Sequence, residues 1–359
     1  MLSGKNHIFG KGNSNRRSFD QITKGGGPGK EEDWVEHVRN RPKDKPFFFW
    51  FAAVDAHRDW QESEEAPVYG NDEVIVPPFL VDTPTTRTDL AGYYHEVSRF
   101  DYYIGLVRDD LERQGVLDNT LIVVTADNGR PFPRCKTRLY DSGVKTPWVV
   151  HFPQVIKSPA VTGSLLSSID LSATCLELAG IEKPKSVQGI SFLPILKDPE
   201  AVVRQMIFSE HNWHVYKNHE RMVRFGDWVY IRNNYPDQAN LGAESDTRFP
   251  SGMELWKAHA AGKTNAQQQL IFANPCPKEE LYRMSQDPNQ LVNLAENPEY
   301  AETLMLARHL IDQWTEQTGD SIPENPTPNR HAPPRIENGK IIPYGRFKIR
   351  NPHAEMPGA

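Results

Sequence analysis

Residues 46–54 read PFFFWFAAV and run directly into Asp55-Ala56-His57. Residues 121–125 read LIVVT and run into Ala126-Asp127-Asn128-Gly129. Each is a short, almost unbroken apolar stretch rich in aromatic or β-branched residues. That length and composition predict strands buried on both faces, as in a parallel sheet. Trp148 to Phe152 is a third such stretch. Amphipathic segments separate them. Thr86 to Gln114 sets Leu90, Tyr93, Val97, Ile104, Val107 and Leu111 near helical spacing and stops at Gly115, a suitable C-terminal residue for a helix. Ile169 to Ala179 reads as a helix stopped by Gly180, and Trp34 to Val38 as a short one. Buried strands alternating with helices predict an α/β fold with a mainly parallel sheet.

The pattern changes near Arg204. Phe225 to Asn233 reads as a hairpin turning at Gly226-Asp227, and Pro298 to Gln317 as a final helix. After Asp320 the chain holds eight of its 29 prolines and no periodicity. Three parts are therefore expected: an α/β domain over 1–203, a smaller α+β subdomain over 204–319, and an extended Pro-rich tail over 320–359. Lys plus Arg is 41 against 47 for Asp plus Glu, a net charge of −6, which speaks against a general nucleic-acid binder. No apolar run approaches the roughly 18 residues of a membrane span. Residues 1–11 are polar and glycine-broken, without the apolar segment of a secretory signal. Cys135, Cys175 and Cys276 are far apart, form no CxxC, and allow at most one bridge.

In open parallel sheets, ligands bind just outside the carboxyl ends of the strands. Asp55-Ala56-His57 and Asp127-Asn128-Gly129 are both expected there, on one edge of one sheet. Taken singly, each reads first as ordinary loop capping. Two further clusters alter that balance. Gly4-Lys5-Asn6-His7 opens the chain, and Lys136 follows Asp127 by nine residues, ahead of Leu139-Tyr140 and Gly143-Val144-Lys145-Thr146-Pro147.

Together, in this order, the clusters resemble the sulfatase family of the alkaline-phosphatase-like superfamily. Residues 71–140, with VPPFLVDTPTTRTDLAGYY and Pro131-Phe132-Pro133 directly after Asp-Asn-Gly, are most similar to its heparan N-sulfatase branch. Glu280-Leu281-Tyr282, Asp287-Pro288 and Asn293-Leu294-Ala295 also resemble sulfatases. The resemblance implies an alkaline-phosphatase-like sandwich and hydrolysis of a sulfate ester or sulfamate on a glycan. It implies that Lys5, His7, His57 and Lys136 are catalytic, and that Asp127 and Asn128 bind Ca²⁺. The chemistry agrees: a sulfate needs fixed positive charge and a hard cation, and oxygen ligands suit Ca²⁺ rather than Zn²⁺. Imidazole suits proton transfer near neutral pH. His211, His214 and Arg221, in EHNWHVYKNHER, are candidates for holding the sugar. The expected partner is a sulfated glycan or small sulfate ester, with no nucleic acid and no membrane; a homodimer is left open.

The family nucleophile, a formylglycine made within C/S-x-P-x-R, has no counterpart among the three cysteines or the serines. The paired aspartates of the family's first strand are absent as well. The chain is therefore expected to be N-terminally truncated, inactive by itself and a weak metal binder, with the complete form exported. Two alternatives stand beside the sulfatase reading. One is a zinc-dependent phosphatase or phosphodiesterase of the same superfamily. The other is a non-catalytic remnant that binds sulfated sugars.

Overall fold

The computed structural model describes residues 1–6, 19–346, 351–355 and 357. The candidate His7 lies outside the described residues. The chain divides into two compact units. The first is Met1–Pro77, Asp82–Ile122 and Val150–Pro153; the second is Pro78–Val81, Val123–Val149 and Gln154–Ala359.

In the first unit, β1 (Leu2–Gly4) lies between β2 (Ile22–Thr23) and β3 (Trp50–Ala52), parallel to both. Helices α1 (Trp34–Asn40) and α2 (Pro84–Arg113) share a core built on Trp34, Val38, Tyr103, Val107 and Leu111. Phe47, Phe49 and Phe51 pack against it, and Trp34 stacks on Phe51 at 5.1 Å. The intervening Phe48 and Trp50 are 55% and 46% exposed, so the aromatic run buries one face, not the two expected. The reason is the two-residue period of a strand: the described helices cover only the odd-numbered side. At the start of α2, Thr83 Oγ1 accepts from the Thr86 amide; Gly115, at φ +67°, follows its end. Its expected apolar stripe fails at Val97, which is 42% exposed, because the buried face carries Asp89, Glu96 and Arg99 instead.

Strands β4 (Ile122–Thr125) and β5 (Trp148–His151) pair as a two-stranded sheet. Hydrogen bonding thus places β3 and β4 in different sheets, not in the single sheet expected, because no described strand joins them. The second unit continues through α3 (Asp141–Val144), α4 (Asp170–Leu178) and α5 (Leu193–Lys197). A four-stranded antiparallel sheet follows: β6 (Met206–Trp213), β7 (Lys217–Phe225), β8 (Trp228–Asn233) and β9 (Glu279–Arg283), in that order. The expected hairpin is β7–β8, turning at Gly226 with φ +51°. Helices α6 (Pro250–Ala260) and α7 (Ala266–Gln269) fill the connection to β9. Alternation along β7 serves two cores. Val223 meets Leu304, Ala307 and Ile311 of α8 (Ala301–Thr318), while Met222 faces Leu139 and Tyr140. Past α8 the chain is not uniformly extended. β10 (His331–Ala332) pairs with β13 (Gly345–Arg346), and β11 (Arg335–Glu337) with β12 (Lys340–Ile342).

Candidate active site

In the first unit, β1 and β3 end side by side, with Gly4 opposite Ala52. The Lys5 amide donates to the Ala52 carbonyl at 2.7 Å. Lys5 and the Asp55-Ala56-His57 segment therefore leave the same carboxyl edge of one parallel pair, as the sheet rule requires. Gly4 has φ +101°, and a Cβ there would lie 2.0 Å from the Ala52 oxygen. Only glycine permits that approach.

The loop after β3 is held by one face of α2. Arg99 is fully buried and grips Asp55 through Nε and Nη2, at 2.7 and 2.8 Å. Its Nη1 donates to the Gln61 carbonyl at 2.5 Å. Arg58 pairs with Asp89, which also accepts from Trp60 Nε1 at 2.8 Å. A Cβ at Gly92 would meet the Trp60 ring at 2.6 Å, so that glycine makes room for the indole. Glu96 accepts from the Gln61 amide at 2.9 Å. His57 is exposed, and its Nδ1 donates to the Arg58 carbonyl at 2.6 Å.

Behind this loop lies a group of carboxylates: Glu31, Asp55 and Glu96 face the Arg99 cation. Burial, and then the Asp55 charge, push Glu31 up to about 8. Burial raises Glu96 to about 7. Arg99 holds the Asp55 carboxylate directly, whereas neither Glu31 oxygen has a hydrogen-bond partner among the described residues. The sequence reading missed Glu31, Glu96 and Arg99. The available signal was a charged stripe at i, i+7 and i+10 along α2 (Asp89, Glu96, Arg99), which a search for apolar periodicity passes over.

In the second unit, Asp127 is exposed beyond β4, and Asn128 Nδ2 donates to the Gly129 carbonyl at 2.7 Å. A Cβ at Gly129 would lie 2.0 Å from the Ser142 oxygen, so this motif glycine is also fixed by close backbone contact. Lys136 sits on a loop whose neighbours Phe132, Arg134, Cys135, Arg138 and Tyr140 are all buried, whereas Lys136 itself is half-buried. Arg134 lies 3.7 Å from the Tyr140 ring centroid and donates to the Asn289 and Gln290 carbonyls. Arg138 donates to Glu220 at 2.7 Å and to Asn240. The loop is thus anchored on both sides of Lys136.

The same unit brings Lys136 into electrostatic range of His214. Burial, then the charge of Lys136, hold His214 down to about 4. His211 Nδ1 meets Glu220 at 2.9 Å. Arg221 is different. Four of its N–H groups go to Asp320 (twice), Asn212 and the Glu220 carbonyl, and the fifth faces the His219 ring. Arg221 is fully buried and paired with Asp320, so the sequence-based role for Arg221 gives way to a structural one: it ties β7 to the chain beyond α8.

All three cysteines are free. Burial raises each thiol, Cys276 to about 11, so none has the lowered pKa of an activated nucleophile. Asp127 and Asn128 offer the hard oxygens that calcium prefers. Six to eight such ligands are needed, and no group of three His, Cys, Asp or Glu side chains among the described residues is arranged to hold a metal. The pair is right in kind and too few to hold the ion tightly.

The chain belongs to the sulfatase family, with the alkaline-phosphatase-like fold. The sulfatase family model matches residues 9–181. A second model, for the C-terminal part of N-sulphoglucosamine sulphohydrolase, matches residues 135–231, which places the chain's similarity within the branch read from the sequence. An ulvan-active sulfatase of Formosa agariphila is 32% identical over 82% of this chain and 56% of its own length. Human N-sulphoglucosamine sulphohydrolase is 29% identical over 77% of this chain and 62% of its own. A Bacteroides fragilis sulfatase structure shares the fold, with a TM-score of 0.57 at 14% identity, covering 80% of this chain and 57% of that one. The chain thus spans roughly three fifths of these curated relatives. No described helix is long and apolar enough to cross a membrane.

Proposed function

We propose that this chain binds the sulfated end of a glycan and belongs to an enzyme that hydrolyses a sulfate ester or an N-sulfoglucosamine-like sulfamate. The observation that carries the reading is Lys136: a cation half-exposed on a loop that is otherwise buried and hydrogen-bonded, close to a histidine kept neutral. A cation presented from an anchored loop suits an oxyanion, since the loop itself needs no reordering on binding. Lys5 supplies a second point charge, and His57 and His7 the proton-transfer groups. His211 and His214 contact the sugar. Asp127 and Asn128 are two of the ligands of a calcium ion, which when bound supplies charge stabilisation to a sulfate oxygen. The catalytic portion covers 1–203 and the sugar-holding portion 204–319. Hydrolysis is assigned to a polypeptide that also carries C/S-x-P-x-R, a motif these 359 residues do not contain.

The test is calorimetric titration of the chain with N-sulfoglucosamine, glucosamine and glucosamine 6-phosphate, with calcium and with zinc. Selective binding of the sulfated sugar, weakened about tenfold by Lys136→Ala, is expected. Preference for the phosphate ester together with zinc would overturn the reading in favour of the phosphatase alternative.

A further inference from the structure

The segment after α8 runs back along the β6–β7 hairpin in a fixed register. Asp320 pairs with Arg221 at 2.6 and 2.7 Å. The Ser321 carbonyl meets His219 Nε2 at 2.9 Å. Asn329 Oδ1 accepts from the Lys217 amide at 2.6 Å, and the Arg330 amide donates to the Val215 carbonyl at 2.8 Å. The contacts step down β7 through 221, 219 and 217 and end at 215. Trp213 Nε1 closes the arrangement by donating to the Pro328 carbonyl at 3.0 Å. The backbone of Arg330 is therefore fixed beside Val215, one residue from His214.

That position is chemically distinctive. Lys136 and Arg330 both act on His214 as positive neighbours. Arg330 is exposed, and neither Arg330 nor Lys136 forms an ion pair among the described residues. Glu220, the carboxylate nearest to His211, is already engaged by Arg138. Cations gathered without counter-charges form a site for an anion, and a guanidinium fork suits a sulfate or carboxylate best.

We infer that Arg330 is a specificity-determining residue, delivered by the 320–330 segment to the Lys136–His214 site to read a second anionic substituent of the sugar. The inference rests on the glycan reading above. One lysine can hold the sulfate to be cleaved; Arg330 adds the preference for a sugar carrying another negative group. Sequence alone hides this, because Arg330 stands in the Pro-rich tail, 194 residues past Lys136.

The experiment is calorimetry on the full chain with N-sulfoglucosamine, N,6-O-disulfated glucosamine and an N-sulfoglucosamine–uronate disaccharide, for the wild type, Arg330→Ala and Arg330→Lys. Circular dichroism melts check that the variants fold. The expected result is that one or both doubly charged sugars bind the wild type about tenfold more tightly than N-sulfoglucosamine. Arg330→Ala removes that margin and leaves N-sulfoglucosamine unchanged, and Arg330→Lys restores part of it. Preference for the disulfate assigns the second group as sulfate, and preference for the uronate assigns it as carboxylate. An unchanged margin in Arg330→Ala, or an equal loss for all three sugars, overturns the inference while the glycan reading stands. Failure of the wild type to bind any sulfated sugar overturns both.

Discussion

Gly4 and Gly129 show what a motif letter means physically. Each would place a Cβ 2.0 Å from a carbonyl oxygen, of Ala52 and of Ser142 respectively. Gly4 also needs a positive φ. Gly4→Ala should therefore destabilise the first unit by roughly 2 kcal/mol or more, read as a lower urea midpoint. Lys136 illustrates the reverse case, a residue whose neighbours matter more than its own contacts. Its loop is pinned by Arg134 and Arg138, so Arg138→Ala, which leaves the buried Glu220 without its cation, should cost about 3–5 kcal/mol. A near-neutral Arg138→Ala in a urea melt would show that the loop is not held this way.

At the scale of elements, α2 does two jobs. One side closes the apolar core through Tyr103, Val107 and Leu111; the other clamps the His57 loop through Asp89, Glu96 and Arg99. The clamp is electrostatic and buried, so removing one partner strands the other. Arg99→Ala should destabilise by about 3–5 kcal/mol. Arg99→Lys should recover only part of this, since an ammonium cannot match both Asp55 oxygens at once. The check is a denaturation series on the two variants. In the four-stranded sheet, alternation along β7 alone explains why one strand serves both α8 and the Tyr140 side.

Over the whole molecule, buried titratable groups set how stability depends on pH. Burial raises Asp110, but the bonds from Arg113, Arg39 and Gln114 outweigh it and hold it down to about 2. Its contribution is present above the unfolded carboxylate range and is lost as pH falls through the folded value. Glu31 and Glu96 behave oppositely, raised to about 8 and about 7 from a usual 4.5. The folded state holds their protons more tightly. Their contribution is full below pH about 4.5 and is lost as pH rises through about 7 and about 8. Urea midpoints should therefore fall between about pH 5 and about pH 9, and Glu31→Gln should flatten that decline. An unchanged slope in Glu31→Gln would show that Glu31 does not hold the extra proton.

The sequence determined much of this protein by itself. Strand and helix types, their stopping glycines, the β7–β8 hairpin and the order of the Lys5, His57, Asp127 and Lys136 clusters all follow from local pattern and from family likeness. These are properties of short windows, where backbone preference and side-chain periodicity act within a turn or two. Tertiary structure alone decided which side of PFFFWFAAV is covered, because that depends on which helices lie against it. It decided that Arg221 is spent on Asp320, 99 residues away, and that burial beside Asp55 raises the Glu31 carboxyl. It also decided that the Arg330 backbone lies beside Val215. Each is a contact between distant segments, and the fate of a buried charge depends on the groups that folding brings around it, which no local pattern records.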